Sequence, residues 1–205
     1  MQLDDATETE STDSRRDGLL DAAVGVFARY GFRKTSMDEV ARAAGVSRQG
    51  LYLQFADKEE LFRKAVAFKL RRQLGTAVLA LSDETQVLEA RLVAACDEWA
   101  GRYVGVMGAD AADLMCASTS LAGGTLADYE ARFEKALAHA IEISPLADVC
   151  RACGVAPRDV ARALHATARG LKHASKSRQE FLHGMTVAAR MFCAPLVDSR
   201  ASGVE

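Results

Sequence analysis

Thr35-Ser-Met-Asp-Glu-Val-Ala-Arg-Ala-Ala-Gly-Val-Ser-Arg-Gln-Gly-Leu-Tyr-Leu-Gln-Phe55 reads as two short helices around a tight turn. Ser36 and Glu39 stand in the S-x-x-E arrangement, in which hydroxyl and carboxylate each satisfy a free backbone N–H of the other residue. That predicts a helix to about Ala44. Gly45 can take the left-handed conformation that reverses the chain, Val46 is apolar, and Ser47 is a good cap for a helix ending near Phe55. Upstream, Leu19, Leu20, Ala23, Val24, Val26, Phe27 and Tyr30 recur at three- and four-residue steps until Gly31, which marks a longer helix from Arg15. A scaffold helix followed by two short ones across a glycine turn is the plan of a helix-turn-helix unit, here a head over residues 14–56.

The remainder carries the same helical spacing and almost no alternating strand pattern, so the predicted fold class is all-α with about nine helices. Asp57 caps a fourth helix running to about Leu81. Helices are predicted at about 84–107, 110–121 and 125–142, with Gly108 and the Gly123-Gly124 pair as breaks. Ser144-Pro145 opens a short helix that Gly154 stops, Pro157 opens another to about Lys176, and a second S-x-x-E box at Ser177 starts a last helix ending before Pro195. The expected organisation is a disordered acidic tail (1–13), the head (14–56), a body (57–196) and a C-terminal tail (197–205).

Charge follows this division. Residues 14–72 hold 13 Lys or Arg against 7 Asp or Glu, net +6, whereas 1–13 give −5 and 73–205 give −3. A local basic excess suits contact with a polyanion, and equally an ordinary solvated surface. No apolar run approaches the roughly 18 residues of a membrane span. The acidic start is the reverse of a secretion signal, so a cytoplasmic location is expected. Five cysteines, at 96, 116, 150, 153 and 193, are an odd number and point to reduced thiols rather than a disulfide framework.

In a helix-turn-helix unit the second helix enters the major groove of DNA. Arg48 can pair with guanine O6 and N7 and Gln49 with adenine N6 and N7. Thr35, Ser36, Ser47, Gly50, Tyr52 and Lys58 complete the predicted DNA-binding set, with Thr35, Ser47, Tyr52 and Lys58 on phosphates. These residues do more than fit a pattern. The run Phe27-Ala-Arg-Tyr-Gly-Phe32, Thr35-Ser-Met-Asp-Glu-Val-Ala41, Ala44-Gly-Val-Ser47, Gly50-Leu-Tyr52, Phe55 and Asp57-Lys-Glu-Glu-Leu-Phe62 closely resembles the DNA-binding region of the TetR/AcrR family. The chain departs from it at Leu53 and Gln54, where that family usually has a second aromatic. The resemblance implies a transcriptional regulator, most often a repressor, that binds a pseudo-palindromic operator as a homodimer through its last two helices and is released by a small-molecule inducer.

For the body, Trp99, Tyr103 and Met107 share one predicted helix face, and Met115, Tyr129 and Phe133 lie on neighbouring helices. They are the expected ligand pocket, although the same spacing describes a plain core. Leu164, Leu171, Phe181, Met185, Ala188 and Phe192 form the expected dimer stripes, with Val160 beside them and Gly170 and Gly184 permitting close approach. Cys150-Arg-Ala-Cys153 leaves open a thiol- or metal-responsive regulator. Its place in a last helical turn disfavours thiolate, and zinc would need further ligands such as His165 and His173. His139, His165, His173 and His183 otherwise read as surface or satisfied core residues. A TetR-type activator is a further alternative, as are an architectural DNA binder and, remotely, a helical enzyme. No hydrolase, phosphate-loop or dinucleotide motif is present, so neither cofactor nor metal is expected.

Overall fold

A computed structural model describes residues 4–105 and 111–201, with side chains over 14–105 and 112–194. Among the described residues the elements are α1 (Asp4–Lys34), α2 (Met37–Ala43), α3 (Arg48–Gln54), α4 (Lys58–Leu81), α5 (Leu88–Trp99), a 3-10 turn (Gly101–Tyr103), α6 (Ala111–Glu142), α7 (Leu146–Ala152), α8 (Pro157–Ala174) and α9 (Arg178–Ala201). The fold is all-α. The chain forms two compact units, Met1–Arg71 with Met107–Ala127, and Arg72–Val106 with Asp128–Glu205.

In the first unit Gly31 (φ 76) takes α1 out of helical geometry, as its position predicts. The capping box of α2 is complete: Ser36 Oγ accepts from Glu39 N–H at 3.3 Å, and Ser36 N–H donates to Glu39 Oε2 at 2.8 Å. Gly45 (φ 67) then reverses the chain. Leu19, Leu20, Ala23, Phe27, Val40, Leu51 and Phe55 form the core with Leu61, Phe62 and Ala65 from α4. Phe62 packs edge-on against Phe27 (5.0 Å) and Phe32 (5.1 Å). Each such buried Phe or Leu contributes about 1.5–3 kcal/mol. The head therefore does not end at residue 56, because the apolar stripe that opens α4 completes its core. Ala117, Leu114 and Leu121 of α6 pack there too, and Arg33 N–H donates to Asp113 at 2.8 Å.

In the second unit, Trp99 of α5 stacks on Phe133 of α6 (4.8 Å, 14°), and His165 of α8 meets Phe133 edge-on at 5.5 Å. The buried carboxylate of Asp97 pairs through both oxygens with Arg178 at the start of α9. Gly101 makes room for this pair: a Cβ there would lie 2.3 Å from Asp97 Oδ1 and 2.6 Å from the Phe181 ring.

Four expectations about boundaries change. Helix α1 starts at Asp4, inside the expected disordered tail. Gly123-Gly124 does not break α6, since two glycines cost only about 1 kcal/mol each against alanine and long helical runs flank them. The segment predicted as helix over 84–107 shortens to α5 and the 3-10 turn, because Ala100 leaves helical geometry (φ −132). Helix α9 passes through Pro195 to Ala201, beyond its predicted end. Gly108 lies outside the described residues.

Candidate nucleic-acid interface

Helix α3 is positioned by its own caps. Ser47 Oγ accepts from Gly50 N–H at 3.0 Å, and a Cβ at residue 50 would approach that oxygen to 3.1 Å, so the small residue keeps the cap tight. Leu51 and Phe55 turn into the core, while Arg48, Gln49, Tyr52 and Leu53 are exposed. The helix thus shows solvent a continuous face opposite its buried one. Arg48 donates to Asp38 of α2 at 2.9 Å and lies over the Tyr52 ring at 5.6 Å. With side-chain exposures of 65% and 49%, this ion pair contributes at most about 1 kcal/mol, so the guanidinium exchanges readily to another partner.

Two residues expected on phosphates are engaged within the chain instead. Thr35 is buried, and its hydroxyl donates to Gly31 O at 2.6 Å, closing the turn after α1. Lys58 donates to the carbonyls of Phe32 and Thr35, both at 3.0 Å, and its ammonium lies 4.5 Å from the Phe32 ring. It caps the carbonyl end of α1, where a cation is favoured by the helix dipole. Ser36 and Ser47 are exposed helix caps, each with its oxygen occupied by a backbone N–H. Hydrogen bonding to Ser36 holds the Glu39 carboxyl below its ordinary value.

The other expected sites divide. Trp99 and Phe133 come together, with Tyr129 and Tyr103 half-buried in the same unit, and burial pushes the Tyr103 hydroxyl up. Met115 is exposed in the other unit, and Met107 lies outside the described residues. His165, expected to be a surface or satisfied core residue, joins this cluster: its Nδ1 stands 2.8 Å from Glu134 Oε1 while its buried Nε2 has no partner. An ionised carboxylate can only accept, so Nδ1–H is the donor in that bond. Helical spacing could have placed His165 beside Leu164 on the buried stripe of α8, but not beside Trp99.

The dimer stripe needs correction. Leu164, Phe181 and Met185 are fully buried within one chain, as is most of Val160, so they hold α8 and α9 to their own core. Gly184 serves that packing too: a Cβ there would meet Leu171 at 2.8 Å. Only Ala188 and Phe192, partly exposed, adjoin free apolar surface at Val187 and Met191. Cys150 is buried in α7, with its thiol pushed up by burial, and Cys153 is exposed at the helix end. No group of three or more metal-ligating side chains occurs among the described residues.

A capped, outward-facing α3 on a packed helical scaffold defines a helix-turn-helix unit. Residues 19–65 match the family model of bacterial regulatory proteins of the tetR family. An uncharacterised helix-turn-helix regulator of Bacillus subtilis, YfiR, is 38% identical over 89 residues, 43% of this chain and 42% of its own. The regulator AcrR of Shigella flexneri is 41% identical over 56 residues, 27% of this chain and 26% of its own. The chain thus aligns with less than half the length of these relatives. The fold of the whole resembles SmeT, the repressor of a Stenotrophomonas maltophilia multidrug efflux pump, with a TM-score of 0.59, 20% identity and coverage of 88% of this chain and 89% of that one. Residues 19–65 therefore form a helix-turn-helix region of the tetR type, and the chain as a whole shares its fold with SmeT.

Proposed function

We propose that this protein is a cytoplasmic repressor that binds a pseudo-palindromic operator as a homodimer and leaves it when a small molecule occupies the second unit. The observation carrying the DNA part is the exposed face of α3, where Gln49 and Arg48 are the base readers and Tyr52 a phosphate ligand. Ser36 and Ser47 offer hydroxyls at the two helix starts, and Gly50 keeps the Ser47 cap tight behind the readers. Thr35 and Lys58 act from behind, by holding the turn and the end of α1 that set the angle of α2.

For ligand sensing, the supporting feature is the Trp99, Phe133 and His165 cluster. Stacked aromatic rings and one buried ring nitrogen without a partner suit a compact, largely apolar molecule with a single hydrogen-bonding group. For dimerisation it is the apolar strip of Val187, Ala188, Met191 and Phe192 on α9. SmeT is a repressor, whereas in this chain the sign depends on where the operator lies relative to the promoter. The test is selection of binding sites from random duplex DNA by the purified full chain, with its mass followed by sedimentation. Enrichment of an inverted repeat bound by two chains supports the reading. Binding without any enriched sequence removes it.

A further inference from the structure

Leu53 has no structural reason to be a leucine. It is 81% exposed, more than any other large apolar residue described, and its helix has only seven residues in which to bury anything. At about 100° per residue, Leu53 lies about 200° around α3 from the buried Leu51. Gln49, one turn earlier, projects beside it. Gln49 and Leu53 therefore form the ridge of α3 farthest from the core, one polar and one apolar.

We infer that Leu53 is a specificity-determining residue that packs against the C5-methyl group of a thymine, next to the base pair read by Gln49. The major groove offers one apolar group, and it belongs to thymine alone. A leucine at the crest of a groove-facing ridge can lose its water only against that methyl or against sugar edges. The pairing of readers is then coherent: the amide selects adenine, the leucine selects a neighbouring thymine, and the half-site contains adjacent A·T pairs.

This rests on the DNA-binding reading, and the experiment separates the two. Starting from the duplex selected by the wild-type chain, each thymine of the half-site is replaced in turn by deoxyuridine, which removes the methyl and leaves every hydrogen-bonding group in place. Affinities of wild type and Leu53→Ala are measured for each duplex. The expected result is one position per half-site where deoxyuridine weakens wild type about fourfold, the worth of one buried carbon at about 0.8 kcal/mol. At that position Leu53→Ala is insensitive to the replacement and binds the thymine duplex several-fold more weakly than wild type. Because Leu53 is 81% exposed, its truncation should leave stability unchanged, and an unchanged urea midpoint for the variant checks this. Tight wild-type binding with no deoxyuridine-sensitive position, or equal sensitivity in both proteins, overturns the methyl contact and leaves DNA recognition intact. Failure to select any duplex overturns both.

Discussion

Replacing Lys58 by methionine separates two accounts of a residue that composition alone assigns to DNA. The methionine keeps an apolar stem against Phe32 but removes the ammonium that donates to the Phe32 and Thr35 carbonyls at 3.0 Å each. Hydrogen bonds from charged donors are worth about 1.5–3 kcal/mol, and a cation over an aromatic face adds about 0.5–1 kcal/mol. Even the low ends sum to about 3.5 kcal/mol, and because Lys58 is only half-buried, water screens part of this and the variant should lose about 2–3 kcal/mol. Urea unfolding followed by helical circular dichroism reads this directly, at fixed protein concentration because a dimer's stability depends on it. On a selected duplex, the dependence of log affinity on log salt should keep the wild-type slope, since no phosphate contact has gone. A normal midpoint with a slope smaller by about one per head would refute the capping role and return Lys58 to the phosphates.

Ser36→Ala should cost about 1 kcal/mol near neutral pH by removing the α2 cap. Because the Glu39 carboxyl is lowered in the folded state, its share of the capping box is present above the ordinary value of 4.5 and disappears as pH falls through the lower folded value. The difference between wild type and Ser36→Ala in urea titrations should therefore shrink only in acid. Gly101→Ala should destabilise the second unit by about 1–3 kcal/mol through overpacking against Asp97 and Phe181, visible as a lower melting temperature. Among the five thiols, Cys116 and Cys153 are exposed, whereas burial pushes Cys96 up to about 12 and Cys193 up to about 11. Mass spectrometry after brief alkylation of the native protein at neutral pH should find label on Cys116 and Cys153, with Cys96, Cys150 and Cys193 modified only on unfolding.

Local chemistry made the head legible. The S-x-x-E box at Ser36, Gly45 in its left-handed turn and the Ser47 cap act within four residues, so sequence spacing alone predicts them. What spacing does not carry is the identity of the partner across space. Thr35 and Lys58 are polar and lie beside the recognition elements, yet the one is buried on Gly31 and the other ends α1, 23 residues or more away in sequence. The stripes of α8 and α9 were legible as apolar but not as inward: Phe181 and Met185 meet their own chain, and Gly184 admits Leu171 rather than a second subunit. The pairing of His165 escaped for the same reason, since it depends on Glu134, 31 residues earlier.

The central claim is that α3 reads base sequence. Its most direct test compares Arg48→Ala with Gln49→Ala in one chain, against wild type, on the selected duplex and on a scrambled duplex of equal length at the same salt. The account predicts an affinity for the selected duplex reduced by roughly 1–3 kcal/mol per lost base contact. The scrambled duplex should lose only the smaller electrostatic share of Arg48. Equal losses on both duplexes, or none on either, would contradict it.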